Sequence, residues 1–262
     1  MHLKRLIVAG FDRVYEIAKV FRNEGIDKTH NPEFTDLEWY QAYADYNDMM
    51  SVFEELYAHV AKKLFGTTII EYQGKKIDLK PPWKRITMID SLKEFAKIDI
   101  SKYSDDEIKD LVNTHSLAIE GDITKGRVIE ALFKELVESK LIQPVFITDH
   151  PKETSPLTKV HRKNAELIER FEPFINGWEI GNAYSELNDP VEQKKRLQEQ
   201  AEMLRAGFEE AQPMDDDFVR AIEYGMPPCG GVGLGVDRMV MLFTNSPSIR
   251  DVILFPTMKP EK

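Results

Sequence analysis

The stretch RFEPFINGWEIGNAYSELNDP, residues 170–190, decides how the chain folds. Asn176-Gly177 between two apolar runs signals a two-residue β-hairpin, because the tight turn needs positive φ at both central positions and Asn and Gly adopt it at least cost. Counting outward from the turn pairs Ile175 with Trp178, Phe174 with Glu179 and Glu172 with Gly181. Glu172 and Glu179 become diagonal neighbours on one face. Two carboxylates there repel unless a cation lies between them, so the pair is a candidate site for a hard divalent ion, against the plainer reading of a solvated acidic sheet face. Strict alternation sends Asn182, Tyr184 and Glu186 to the opposite face from Glu179. A bulge at Gly181 would reunite them, and an isolated glycine within a strand run is where a bulge is expected.

A second hairpin is written upstream, around FRNEGIDKTHNPEFT, residues 21–35. The runs LIVAG and VYEIAKVFRNE read as extended, from their β-branched residues and Gly10, with 25–32 as the connecting loop. Arg22 and Glu24 then share a strand face, where a guanidinium can grip a phosphate or carboxylate; a cross-strand salt bridge is the plainer reading. The returning run EFTDLEWYQAY carries Phe34, Asp36, Glu38 and Tyr40 on one face. A third cluster, MPPCGGVGLGVDRMVMLF (226–243), is a glycine-rich strand that runs into a helix starting near Asp237-Arg238. Glycines let a flat ligand lie against the backbone, and the helix start with Arg238 favours an anion. The G-x-G-x-x-G spacing and the phosphate-loop lysine are both lacking, and close strand-helix packing explains the glycines equally well. His30, alone in its loop, reads as solvated.

The remaining elements fill in around these clusters. NDMMSVFEELYAHVAKKLFG has helical spacing and a glycine stop, Gln73-Gly74 marks a hairpin, and the charged stretch to about residue 139 reads as helices. QPVFITD (143–149) is a buried strand followed by a polar loop, and Asp189 with Pro190 opens another helix. With 262 residues and 42% hydrophobic composition the chain buries a real core. A formal charge of -10 excludes a general electrostatic grip on nucleic acid, so any RNA contact must be local. The single cysteine, Cys229, excludes an internal disulfide framework, reads as a buried inert thiol and fits a reducing, cytoplasmic compartment. No apolar run approaches the ~20 residues of a membrane span.

Taken together, FRNEG with HNPEFT and LEWY, then EIGNAYSELNDP, then GVGLGVDRMVMLF closely resemble the catalytic domain of class II lysyl-tRNA synthetases, in the expected order and across nearly the whole chain. The resemblance implies an α+β fold, an antiparallel sheet flanked by helices, which the hairpins suit. It implies that lysine and ATP give lysyl-adenylate and pyrophosphate, with transfer to the end of tRNA(Lys). By the same resemblance Arg22 holds the α-phosphate and lysine carboxylate, Glu24 and His30 contact ATP, Phe34 stacks on adenine and Arg238 meets the γ-phosphate. Glu172 and Glu179 match magnesium-binding acids. Glu38, Tyr40 and Glu186 match groups around the substrate ammonium, with Asn182 and Tyr184 lining the same pocket. The family's first signature, which builds its homodimer, and its anticodon-binding barrel would lie upstream of Met1. Residues 1–262 are therefore expected to be a partial catalytic domain, poorly active and not dimeric alone. Two other functions stay open: a ligase that attaches a lysine-like amino acid to a translation factor, and a noncatalytic module that keeps the fold. ELNDP and the glycine after FRNE favour the synthetase over the first, and the retained arginines and acids argue against the second.

Overall fold

Asn176 and Gly177 adopt positive φ, 56° and 74°, and the turn closes the hairpin in the register read from the sequence, Ile175 facing Trp178 and Phe174 facing Glu179. The computed structural model describes residues 2–23, 25–119, 121–205, 207 and 213–257. In chain order it contains α1 (His2–Val8), β1 (Arg13–Phe21), β2 (Glu33–Ala42), α2 (Tyr46–Phe65), β3 (Ile69–Tyr72), β4 (Lys75–Asp78), β5 (Lys84–Thr87) and α3 (Met88–Ser91). There follow α4 (Asp105–Thr114), α5 (Lys125–Leu136), β6 (Val145–Thr148), β7 (Arg170–Ile175), β8 (Trp178–Glu179), β9 (Gly181–Ser185), α6 (Pro190–Arg205), α7 (Asp216–Glu223), β10 (Cys229–Gly235) and α8 (Val236–Thr244).

The large sheet runs β1-β2-β10-β9-β7-β6-β5, with β8 continuing the β7 hairpin, and every pairing is antiparallel except β5 with β6. Past Glu179 the register shifts: Phe171 pairs with Ala183 and Arg170 with Tyr184, so the β8-β9 side carries one residue more than β7 over the same span. The extra residue is Ile180, just before Gly181, and its N–H still reaches the Pro173 carbonyl at 2.9 Å. The simple pairing of Glu172 with Gly181 is thereby lost. Asn182 and Tyr184 come instead to the face that holds Arg170, Glu172 and Glu179, which is what the bulge reading required.

Helix α2 covers the other face. Met49, Met50, Phe53, Tyr57 and Ala61, at helical spacing, pack on Phe171, Ile175, Ile180, Ala183, Val232 and Leu234. A second core joins α3, α4 and α5 to Val145, Ile147 and Phe174. A third gathers α1, α6 and α7 around Tyr40 and Cys229. The thiol is buried, as read.

Two sequence expectations are corrected. LIVAG is not extended: His2–Val8 is helical, and Leu3, Lys4 and Ile7 form its buried stripe. The helix penalty of β-branched Ile7 and Val8 is a few tenths of a kcal/mol each, which burial of that stripe against Phe218, Val219 and Ile222 overrides. Strand β1 stops at Phe21, so Arg22 lies beyond it in the loop, its N–H tied to the Pro32 carbonyl at 2.9 Å. Its expected strand-mate Glu24 lies outside the described residues. Elsewhere the turn at Gln73-Gly74, buried β6 and the Asp189 cap on α6 form where the sequence places them. No helix among the described residues is long and apolar enough to cross a membrane.

Candidate active site

The floor of the site is bare backbone. Along β10, Gly231 lies opposite Tyr40 and Tyr184, Gly233 opposite Glu38 and Asn182, and Gly235 opposite Asp36. Alternation puts all three glycines on the face of those side chains. A Cβ at Gly231 would lie 2.1 Å from Glu186 Oε1 and 2.4 Å from the Tyr40 ring, whereas at Gly233 the nearest atom is Asp36 Oδ2 at 3.5 Å. Space therefore opens over Gly233 and Gly235. There a cavity of about 160 Å³ is lined by Arg22, His30, Phe34, Asp36, Glu179, Asn182 and Arg238, among others.

Two guanidiniums face this cavity without a carboxylate partner among the described residues. Arg22 lies over the Phe34 ring, 5.0 Å from its centroid, a cation-π contact. Arg238, in the first turn of α8, donates to the Glu179 carbonyl, to the Thr29 carbonyl at 3.4 Å and toward His30 Nε2 at 3.1 Å. Because Nε2 must accept from Arg238, the His30 proton sits on Nδ1, which donates to Asp27 at 2.9 Å. Asp27 organises the loop: its Oδ1 also accepts the backbone N–H of Thr29 at 2.6 Å and of His30 at 2.7 Å. Burial works against its charge, but those donors and the His30 ring outweigh it and hold the carboxyl down at about 2. His30 is thus positioned by the loop, where the sequence alone suggested a solvated ring.

Of the two acids of the β7-β8 hairpin, only Glu179 lines the cavity. Burial, then the charge of Glu172, pushes Glu179 up to about 7 against the opposing pull of Arg238, Arg170 and Arg22. Glu172 does not line the cavity; Arg170 Nη2 holds its carboxylate at 2.5 Å, while Arg170 Nε donates to Asn182 Oδ1 at 3.0 Å. The donor chemistry suits a hard divalent cation in that two carboxylates share a face, although Arg170 already pairs with one of them. The described residues hold no group of three or more His, Cys, Asp or Glu that could bind a metal alone, so such an ion would need further oxygens from a ligand.

Past Gly231 the glycine strip leads to the groups expected around a substrate ammonium. Glu38, Tyr40, Tyr184 and Glu186 do not line the cavity; Tyr40, Tyr184 and Glu186 close around a cation of the chain itself. Lys4 Nζ approaches Glu186 Oε2 to 2.5 Å, with the two side chains 3% and 1% exposed. The same Nζ stands 5.7, 5.5 and 5.8 Å from the ring centroids of Tyr40, Tyr184 and Phe218. This is an ion pair outside hydrogen-bond alignment, and neither Glu186 oxygen meets a donor in hydrogen-bond geometry. Burial and, in the other direction, Lys4 leave the Glu186 carboxyl up at about 7, with Glu38 adding to the rise. Burial disfavours the Lys4 charge, but Glu186 outweighs it and keeps the ammonium protonated. Tyr40 donates its hydroxyl to Glu38 Oε1.

Four residues have no site role in the sequence reading, although Asp36 is placed there on the face of Phe34 and Glu38. Asp36 lines the cavity, and burial followed by Glu38 raises it to about 6 against Arg22. It shares the period-two face of Phe34 and Glu38, a signal that could have marked it. Asp237 accepts the Thr35 N–H at 2.5 Å, pinning β2 to α8. Arg170 and Lys4 carried no signal, since their roles come from pairings across strands and helices far apart in sequence.

The chain matches the family model of "tRNA synthetases class II (D, K and N)" over residues 1–259, and it belongs to that family. Within it, the chain is 56% identical over 266 residues to a lysine-tRNA ligase of Clostridium novyi (strain NT), covering all of this chain and 52% of the relative. It is 57% identical over 264 residues to a lysine-tRNA ligase of Clostridium acetobutylicum, covering 99% of this chain and 51% of that protein. The lysine-tRNA ligase of Thermoanaerobacter sp. (strain X514) is 55% identical over 262 residues, covering all of this chain and 52% of its own length. The chain thus spans about half the length of these relatives.

Proposed function

We propose that this chain carries the catalytic site of a lysine-tRNA ligase, which condenses lysine with ATP and passes the lysyl group to the 3′ end of tRNA(Lys). The observation that carries the reading is the cavity over Gly233 and Gly235, walled by two guanidiniums without carboxylate partners among the described residues and leading to an acidic, aromatic pocket. In the reaction the lysine carboxylate attacks the α-phosphorus and pyrophosphate leaves, so the protein needs to position and to neutralise charge, and needs no side-chain nucleophile. Arg22 exchanges its contact on Phe34 for the α-phosphate and the lysine carboxylate. Adenine takes the Phe34 face, with Glu24 and His30 as further ATP contacts. Arg238, oriented by His30 and two carbonyls, receives the γ-phosphate. Glu172 and Glu179 would hold magnesium, which when bound supplies positive charge to the phosphate oxygens. Glu38 and Glu186 select a cationic side chain, and the same acids repel aspartate. Asn182 and Tyr184 shape that pocket.

The partners that follow for the whole protein are lysine, ATP, tRNA(Lys) and a second copy, with a cytoplasmic setting. Exposed Tyr15, Ile17 and Phe21, on one face of edge strand β1, support the homodimer. The test is ATP-pyrophosphate exchange with lysine, aspartate and asparagine in turn. Exchange driven by lysine alone is expected. Exchange driven by aspartate or asparagine overturns the reading.

A further inference from the structure

We infer that Lys4 is a fixed counter-ion of the amino-acid pocket, a positioning residue that occupies one oxygen of Glu186 and leaves the other for the substrate ammonium. The inference rests on the lysine reading above and adds to it a residue from α1, outside every motif that reading used.

Two observations carry it. The first is the position of the ammonium: Lys4 Nζ reaches Glu186 Oε2 at 2.5 Å inside a cage of Tyr40, Tyr184 and Phe218, so the far end of the pocket is closed by a charge. The second is the state of the other oxygen. Glu186 Oε1 is buried, has no hydrogen-bond partner among the described residues, and lies where a Cβ on Gly231 would strike it. The strip that floors the cavity thus ends on a free acceptor. A buried acceptor without a donor is costly in a folded protein unless a ligand completes it.

Charge balance gives the arrangement its purpose. The groups facing Glu186 are Lys4 from α1, Glu38 and Tyr40 from β2, Tyr184 from β9 and Cys229 from β10. Lys4 offsets part of the negative charge that the carboxylates bring to this dry site, and an incoming ammonium would meet the remainder. Lys4 is the main group that opposes the burial holding the Glu186 proton, so its loss would raise that carboxyl further. Lys4 also denies Oε2 to a guanidinium, whose fork needs both oxygens of a carboxylate.

The test is calorimetry of lysine and of arginine between pH 6 and 9 on the wild type, Lys4→Met and Lys4→Gln, with thermal melts. Removal of the Lys4 charge is expected to weaken lysine binding about tenfold at pH 7 and to move the inflection of affinity against pH upward by about one unit, so that most of the loss is recovered at pH 9. Discrimination against arginine should narrow at that pH. Affinity and pH profile equal to wild type in both variants would overturn the inference. A loss that pH does not restore, or failure of both variants to fold, would make Lys4 a packing residue and overturn it as well. Wild type that binds no lysine at any pH would instead sink the lysine reading, and this inference with it.

Discussion

Gly233→Ala separates a ligand floor from a merely packed strand. A methyl at this position meets nothing closer than Asp36 Oδ2 at 3.5 Å, ordinary contact, and points into the cavity. The folded protein accommodates it, and lower entropy of the unfolded chain adds about 0.4 to 1 kcal/mol of stability. A ligand lying flat on the β10 backbone is displaced by the same methyl, and overpacking of this kind costs roughly 1 to 3 kcal/mol. ATP affinity should therefore fall roughly 5- to 150-fold while the melting temperature stays level or rises. Gly231→Ala is the contrast: its methyl collides with Glu186 Oε1 and the Tyr40 ring, so that variant should lose stability. Calorimetric titration with ATP beside a thermal melt reads both effects. Undiminished ATP affinity in Gly233→Ala would show that nucleotide does not lie on this strand and would refute the reasoning.

Further expectations follow from the acids and the edge strand. Glu186→Gln should weaken lysine binding by roughly 1.5 to 3 kcal/mol and leave ATP binding nearly unchanged, by calorimetry with each ligand; an equal loss for both would dismiss Glu186 from the lysine pocket. Glu172→Gln and Glu179→Gln should each raise the magnesium concentration needed for ATP binding, Glu172→Gln alone also lowering the melting temperature because buried Arg170 loses that carboxylate, and magnesium titrations indistinguishable from wild type would reduce the pair to a sheet face. Asp36 and Glu186 are raised from ordinary values of 3.8 and 4.5 to about 6 and about 7, so the folded state holds their protons more tightly than the unfolded chain. Their contribution is full below the ordinary values and lost as pH rises through the folded ones, a fall on the order of 3 kcal/mol for Glu186 that Glu186→Gln should abolish in urea titrations between pH 4 and 8. In the whole protein, Ile17→Lys with Phe21→Lys should reduce self-association in light scattering, and an unchanged mass distribution would remove β1 from the dimer contact.

Local chemistry made much of this legible. Asn176-Gly177 fixed a register because only one turn geometry suits it, and the glycine at 181 announced the shift that brings Asn182 and Tyr184 beside Glu172. The face of Phe34, Asp36, Glu38 and Tyr40 needed only alternation. What stayed hidden depended on distant partners. LIVAG has strand composition, and its helix is dictated by α7, more than two hundred residues away in sequence. Lys4 could not be read as part of a pocket while its segment was taken as a strand. Nor does any local pattern say that Arg170 holds Glu172 and Asn182, or that Asp27 and Arg238 fix the tautomer of a loop histidine.

The most direct test of the account is a crystal structure of the protein with a nonhydrolysable lysyl-adenylate analogue. The account predicts adenine on Phe34, the linking group between Arg22 and the bare backbone at Gly233, and the lysine ammonium between Glu38 and Glu186 Oε1, with Lys4 still on Oε2. An analogue bound with its ammonium away from Glu186, or bound outside the cavity over β10, would contradict it.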